Sequence, residues 1–326
     1  MTIILDGKAL ASKITENLKN EISQLSKKPK LAVILIGNDP ASQIYVKNKN
    51  IKAQNIGFES LVISLPENST EENILEHIYI LNEDKNINGI LVQLPLPEHI
   101  NKQKILEAID PIKDVDGFTS YNYGRLALGY KPYALACTPK GVMRILKEYN
   151  IEVEGKNVLI IGRSNIVGKP LSIMLQQKNA TVTVAHSKTK DIKTIAKQSD
   201  IVISAIGKPK FVNKDFIKKD AIVIDVGISR TMDGICGDVD FENIKNLCSY
   251  ITPVPGGVGP MTIAMLMENT FELYKYQLDL IWFNLFRSLK TVILTFINMQ
   301  KAQNSIPTRF IHFIYTGYAL KLKKHV

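Results

Sequence analysis

Cysteine is scarce in this chain: Cys137, Cys236 and Cys248 are the only three in 326 residues. An odd number at no metal-ligand spacing gives neither a disulfide framework nor a metal site, so buried reduced thiols in a cytosolic protein are expected. Long apolar runs are missing too. No uninterrupted stretch reaches the ~18 residues of a spanning helix, and the amino terminus, Met1-Thr-Ile-Ile-Leu-Asp6-Gly-Lys8, meets an acid too early for a signal-peptide core. The expectation is a soluble, cytoplasmic body.

What is present is enough apolar material, 45% of 326 residues, to bury the cores of two domains. The net charge of +10 is unevenly placed. From residue 277 onward Arg287, Lys290, Lys301, Arg309, Lys321, Lys323 and Lys324 face a single acid, Asp279, so residues 1 to 276 keep only +4 of the excess. That suits an enzyme of anionic ligands and gives no dedicated nucleic-acid surface.

Apolar runs bounded by Gly, Pro and Asn alternate with helical stretches, the pattern of parallel α/β architecture. Strands are predicted over 31–36, 60–65 and 89–94 in the first half, and over 157–161, 181–185, 201–205 and 221–226 in the second. Helices are predicted near 8–26, 41–55, 70–84, 168–178, 189–197 and 213–218. Thr138-Pro139 reads as a helix start, Thr as N-cap and Pro at the first helical position, with the helix running to about Tyr149. A Pro/Gly-rich crossing, Thr252-Pro-Val-Pro-Gly-Gly-Val-Gly-Pro-Met-Thr262, leads into a last helix to about Tyr276. Two sheets follow, with ligands expected in the cleft between them.

The strand 157–161 runs directly into Gly162 and then into a helix that begins at Gly168, the context a phosphate-binding turn requires. The spacing is not G-x-G-x-x-G, and glycines that only relieve strain in an ordinary turn are the competing reading. Cofactor choice is usually read after the next strand, where an acid would bond a ribose 2′-hydroxyl. Here Ala185-His186-Ser187-Lys188-Thr189 holds no acid, whereas Arg163, Ser187 and Lys188 can surround a phosphate, which favours NADP over NAD. Lys188 is equally well read as a solvated lysine at a helix start.

On the helix from about Ala41, residues Ser42, Tyr45, Lys49 and Lys52 lie near one face, with Lys47 elsewhere. By itself that is a solvated lysine-rich face. Gln93, at the carboxyl end of a strand stopped by Pro95 and Pro97, lies where open α/β sheets bind ligands, and Lys113-Asp-Val-Asp-Gly117 adds two carboxylates in an extended turn. An amine, an amide and a carboxylate can thus converge on one polar heterocycle.

Together these segments resemble the bifunctional methylenetetrahydrofolate dehydrogenase/methenyltetrahydrofolate cyclohydrolase family. The likeness is carried by Pro40-Ala-Ser-Gln-Ile-Tyr-Val-Lys-Asn-Lys49, Val92-Gln-Leu-Pro-Leu-Pro97, Lys113-Asp-Val-Asp-Gly117, Gly162-Arg-Ser-Asn-Ile-Val-Gly-Lys-Pro170, His186-Ser-Lys-Thr189 and the crossing 252–262, in order, over residues 1 to about 276. The resemblance implies a two-domain, three-layer α/β fold, with a Rossmann-like NADP-binding domain, a smaller α/β catalytic domain and an unassigned C-terminal tail. It implies that 5,10-methylenetetrahydrofolate gives up a hydride to NADP and that the resulting methenyl cation is hydrolysed to 10-formyltetrahydrofolate. By motif position Lys49 is the catalytic lysine, Gln93 its partner, Tyr45 the residue packed on the folate and Asp116 the pterin-binding acid. Pro255 and Gly256 fall on substrate-binding positions. Cofactor positions are Gly162, Arg163, Ser164, Ile166, Val167 and Gly168 in the first turn, His186, Ser187 and Lys188 in the second, and Ile228. The resemblance also implies a homodimer through the nucleotide domain.

The chemistry agrees with these roles. Hydrolysis of a methenyl cation needs water delivered and a proton removed, and a lysine does this near neutral pH only when burial or a neighbouring cation lowers its pKa. Hydride transfer asks mainly for near-attack placement of donor carbon and nicotinamide. A pterin offers adjacent N–H donors that one carboxylate can accept in a fork. Asp114, two residues away, points oppositely in an extended chain and is expected to be solvated or to cap a turn. Thr262 is expected only to cap the last helix, and the run 253–260 lets backbone approach the ligand.

The expected division is 1–139 with the helix 258–276 as the folate domain, 140–257 as the NADP domain and 277–326 as an extension. That extension mixes apolar and basic residues with the only tryptophan, Trp282. It reads first as an appended segment with no selected role, next as a basic amphipathic helix on a membrane or on the enzyme's own surface, and then as an oligomer-specific element. Two other functions compete: a dehydrogenase without the hydrolytic step, against which Lys49 and Gln93 speak, and an NADP-binding protein without turnover whose tail recruits a membrane or nucleic acid.

Overall fold

The computed structural model describes residues 1–232 and 234–302, and side chains other than those of 282 and 284–302. In chain order the elements are β1 (Ile3–Ile4), α1 (Gly7–Ser23), β2 (Lys30–Ile36), α2 (Pro40–Asn55), β3 (Glu59–Leu65), α3 (Glu71–Glu83), β4 (Gly89–Val92), α4 (Lys102–Glu107), α5 (Ser120–Ala127) and α6 (Cys137–Glu148). They continue with β5 (Asn157–Ile161), α7 (Gly168–Gln176), β6 (Thr181–Ala185), α8 (Ile192–Gln198), β7 (Ile201–Ser204), β8 (Ala221–Asp225), β9 (Ser229–Thr231), β10 (Gly234–Cys236), α9 (Phe241–Ile244), β11 (Cys248–Ile251) and α10 (Val258–Ala302). Met1–Tyr274 and Lys275–Val326 are separate compact units.

The first unit is built on two parallel sheets. One has the order β3-β2-β4, with Ile34 of β2 opposite Ile63 and Val92. The other has the order β1-β11-β8-β7-β5-β6, all of whose neighbours run parallel. The strands predicted over 157–161 and 181–185 are found at those bounds, because a run such as Val-Leu-Ile-Ile is buried on both faces of a parallel sheet. In the smaller sheet Leu31, Ala32, Val33 and Ile34 have no exposed surface, and Ala32 and Ile34 share a core with Ile74 and Ile78 of α3. Short polar side chains start the helices: Asp6, Asp39, Thr70 and Thr119 each accept a backbone N–H three residues on.

Several details differ from expectation. The chain's first strand joins the larger sheet, Ile3 opposite Tyr250, and is tied there by the Thr2 hydroxyl, which donates to the Lys245 and Cys248 carbonyls. A two-residue strand carries no periodicity from which its partner can be read. The helix expected to start at Pro139 begins two residues early, at Cys137: Ala136 is its N-cap with no side-chain bond, and the Thr138 hydroxyl instead pairs with that of Thr262 at 3.0 Å. The strand 89–94 stops at Val92, so Gln93 and Leu94 lie beyond it. Cys137 and Cys248 are buried free thiols as expected, but Cys236 is half-buried. The last helix does not end near Tyr276; α10 reaches Ala302. Of the extension 277–326, for which those roles were considered, the part beyond Ala302 lies outside the described residues. Among the described residues no helix is long and apolar enough to cross a membrane.

Candidate active site

The Asp39 carboxylate accepts the Ser42 N–H at 2.7 Å, and Pro40 opens the first turn, so α2 starts at a defined rotation. Ser42 and Val46 are buried, which turns Tyr45 and Lys49 toward the carboxyl ends of β2 and β4, while Lys47 is exposed as expected. There Lys49 Nζ donates to Gln93 Oε1 at 2.9 Å. The same carboxamide donates from Nε2 to the Leu94 carbonyl at 2.6 Å, so its oxygen is left facing the lysine. Gln93 itself is buried.

The third member comes from the turn 113–117. Lys113 is buried, and its ammonium donates to the Leu81, Asn82 and Asp84 carbonyls at the end of α3. Three carbonyl acceptors stabilise that ammonium in place, while burial lowers its pKa. The turn is also stitched to β4, since Ile90 N–H donates to the Lys113 carbonyl at 2.7 Å. Asp114 then points inward, accepting from Thr119 N and Asn122 Nδ2, so it caps a turn as expected but is buried rather than solvated. Asp116 faces the other way. Burial pushes its carboxyl up to about 6, and the neighbouring charge of Asp114 adds to that rise, while the Lys49 charge and a hydrogen bond from the Cys137 thiol oppose it. The carboxyl therefore changes charge near neutral pH, where a substrate N–H pair can decide its state.

Lys49, Gln93 and Asp116 line one cavity of about 330 Å³, with Thr138 and Thr262 as further polar groups and Tyr45 on its wall. Ile166, Val167 and Ile228, all from the larger-sheet half, line it too. A second cavity of about 450 Å³ shares Tyr45 and Ile228 with the first and is lined by Pro255, Gly256, Lys8, Asn48 and Lys52. Asp225, at the end of β8, anchors the loop between the two. It accepts from Gly227, Asp238 and Val239 N–H, and burial raises its carboxyl to about 6.

At the carboxyl ends of β5 and β6, Gly162 N–H donates to the Ala185 carbonyl, which brings the two predicted cofactor turns side by side. A Cβ on Gly168 would stand 2.1 Å from the Gly162 carbonyl oxygen, and one on Gly162 would stand 2.5 Å from that of Ala205. Both glycines are thus required by close backbone approach, beyond relief of strain. Ser164 Oγ accepts from Val167 N, and His186 Nδ1 accepts from Lys188 N at 3.2 Å. Arg163, Ser187 and Lys188 are exposed.

Two family models cover most of the chain: tetrahydrofolate dehydrogenase/cyclohydrolase, catalytic domain, over residues 5–116, and tetrahydrofolate dehydrogenase/cyclohydrolase, NAD(P)-binding domain, over residues 136–278. The chain belongs to the tetrahydrofolate dehydrogenase/cyclohydrolase family. It is 52% identical over 279 residues to the bifunctional protein FolD of Agathobacter rectalis, covering 84% of this chain and all of that one. It is 55% identical to FolD of Mycoplasma mycoides over 84% of this chain and 96% of that one. Among solved structures, the bifunctional FolD enzyme from Campylobacter jejuni is 51% identical with a TM-score of 0.84, covering 85% of this chain and 100% of that one. The Trypanosoma brucei dehydrogenase-cyclohydrolase, complexed with NADP cofactor and inhibitor, is 39% identical with a TM-score of 0.82, covering 85% and 98%.

In this member of the family, the cavities gather Lys49, Gln93, Asp116, Tyr45, Ile166, Val167, Ile228, Pro255 and Gly256. They do not gather Gly162, Arg163, Ser164, Gly168, His186, Ser187 or Lys188, which stand at the neighbouring strand ends. Sequence reasoning passed over Cys137 and Asn48 and read Thr138 and Thr262 as caps. Asn48 had a usable signal, since it follows Tyr45 by three residues on the same helix.

Proposed function

We propose that this chain oxidises 5,10-methylenetetrahydrofolate to the methenyl cation with NADP and hydrolyses that cation to 10-formyltetrahydrofolate, using Lys49, Gln93, Tyr45 and Asp116. The observation that carries the reading is the Lys49–Gln93 pair at 2.9 Å, in one cavity with Asp116 and with Ile166, Val167 and Ile228 from the nucleotide side. The names of the bifunctional relatives support both reactions, and the NADP complex of the Trypanosoma brucei protein supports the cofactor.

The residues present fit NADP. A turn whose two glycines admit no Cβ leaves backbone open to a pyrophosphate at the start of α7. The stretch after β6 has no acid to repel a 2′-phosphate, and Arg163, Ser187 and Lys188 are exposed beside it. When bound, the cofactor accepts the hydride. This chain's part in that step is placement: Asp116 accepts the pterin's paired N–H donors, Tyr45 packs on the folate, and Ile166, Val167 and Ile228 close the cavity from the other half.

In the hydrolytic step, water oxygen bonds to the bridging carbon, the bond from that carbon to N5 breaks, and the electron pair stays on N5. One water proton ends on N5 and the other is released. Lys49 Nζ is the group placed to take the proton from the attacking water, and Gln93 holds it in position. Residues 1–139 with the first turns of α10 form the folate half and 140–257 the NADP half. A cytoplasmic homodimer completes the reading, and light scattering of the purified protein tests the dimer.

The deciding experiment is an absorbance assay with 5,10-methylenetetrahydrofolate, comparing NADP and NAD while NADPH and methenyl product are followed together. NADPH formation with little methenyl accumulation, together with hydrolysis of supplied methenyl substrate, supports both activities. Folded protein that reduces neither cofactor overturns the reading and leaves a binding role.

A further inference from the structure

Asn269 of α10 has no exposed surface, yet its carboxamide is the hub of four polar contacts. Its Nδ2 donates to the Val115 and Leu135 carbonyls, both at 2.8 Å, and lies 3.5 Å from Cys137 Sγ. Its Oδ1 accepts from the Lys140 ammonium at 2.8 Å, and that ammonium is paired with Glu268 and Glu272. The two carbonyls belong to chain segments that bracket the cavity: Val115 precedes Asp116, and Leu135 lies two residues before Cys137. Those segments touch so closely that a Cβ on Gly117 would stand 2.8 Å from the Ala134 carbonyl oxygen. Cys137 in turn donates to the Val115 carbonyl at 3.4 Å and to Asp116 Oδ1 at 3.6 Å.

We propose that Asn269 is a positioning residue for substrate binding: by clamping the Val115 and Leu135 carbonyls together, it sets where the Asp116 carboxylate stands in the cavity. The inference rests on the reading of Asp116 as the pterin acceptor. The residue type matches the task. An amide supplies two donors for two carbonyls and one acceptor for an ammonium, whereas a carboxylate would face both carbonyls and leucine would leave them without that donor. Three groups bear on the Asp116 carboxyl, each from a different direction: Lys49 from α2, Asp114 from its own turn and Cys137 from α6. Only Cys137 and the turn itself are held by Asn269, so loosening the clamp changes the carboxylate's setting while leaving the Lys49–Gln93 pair intact.

The test uses the full chain with Asn269→Leu, Asn269→Ser and Asp116→Asn, measuring KM for 5,10-methylenetetrahydrofolate, the Kd of NADP, the pH profile of kcat/KM and the melting temperature. Asn269→Leu is expected to raise the folate KM about tenfold, and Asn269→Ser, which keeps one shorter donor in place of two, about threefold. Both should shift the acid limb of the profile and leave the Kd of NADP within about twofold of wild type. If Asp116→Asn raises the folate KM but the folded Asn269 variants keep the wild-type KM and acid limb, Asn269 does not position the carboxylate. Equal weakening of folate and NADP binding overturns it as well, since a general loosening would do that. Should Asp116→Asn itself leave the folate KM unchanged, the reading of Asp116 fails first and takes this inference with it. If Asn269→Leu does not fold, Asn269→Ser decides alone.

Discussion

The two ends of the cleft are prepared to different degrees. At the carboxyl end of the smaller sheet the functional groups are already bonded: Lys49 to Gln93, Gln93 to Leu94, and the Asp116 turn to α3 through Lys113. At the ends of β5 and β6 the backbone is closed just as firmly, by glycines without room for a Cβ, yet Arg163, Ser187 and Lys188 stand exposed. Chemistry that must discriminate a proton or a hydrogen-bond fork is thus served by a preorganised site. On the proposed reading, selection between two cofactors that differ by one phosphate is left to solvated side chains, where each contact contributes little.

The sharpest way to break that contrast is Lys49→Ala. On the proposed role of Lys49 as the group that takes the water proton, its loss should lower cyclohydrolase turnover by about 10²- to 10⁴-fold. Dehydrogenase turnover should fall far less, because hydride transfer depends on placement, and methenyl product should accumulate in the coupled absorbance assay. Equal loss of both activities would falsify the assignment of Lys49 to the hydrolytic step.

Asp116→Asn ranks next. Replacing a charged acceptor by an amide should raise the folate KM by about 10- to 100-fold with a smaller change in kcat. The pH dependence gives an independent reading. With its carboxyl raised to about 6, Asp116 in the free enzyme is protonated below that value and ionised above it. On the proposed role of Asp116, folate capture needs the ionised form, so wild-type kcat/KM should climb as pH rises through about 6, and the variant should lose that limb. A limb that survives in Asp116→Asn belongs to another group.

How much of this was legible beforehand follows the same divide between local and distant contacts. The face carrying Tyr45 and Lys49 could be read from helical spacing, and Gln93 from its place at the carboxyl end of a predicted strand, because both signals lie within a few residues. Buried runs such as Val158–Ile161 declared their strands for the same reason. By contrast, β11 contains Ser249 and Tyr250, and β1 is two residues long, so neither shows an apolar period, and their pairing spans almost the whole first unit. Thr138 looked like a cap because its only sequence neighbour of note is Pro139; the hydroxyl it meets is 124 residues away. Asn269, 154 residues from Val115, had no local signal at all.

On the nucleotide side, Arg163→Ala and Lys188→Ala should each weaken NADP by about fivefold or less and leave NAD nearly unchanged, since exposed charge contacts are worth at most ~1 kcal/mol. Titration of both cofactors by fluorescence would show it. The double variant should bring the two affinities together, and raising the salt concentration should do the same to wild type. Parallel weakening of NADP and NAD would mean that these side chains support the turn rather than read the phosphate.

The smallest effect is expected farthest along the chain. Lys49, Gln93, Asp116, both glycine turns and the lining of both cavities lie at or before Ile263. The Agathobacter rectalis relative aligns over its entire length to 84% of this chain, and the family model ends at 278. Truncation after Tyr276 removes seven basic residues and one acid but none of these groups. Both activities, both cofactor affinities and the pH limb near 6 should therefore stay within about twofold of the full chain, a change smaller than ~0.5 kcal/mol. A large loss of activity in a folded truncated protein would show instead that the extension supports the site, and would move the search for determinants of turnover from the cleft to the distal part of α10.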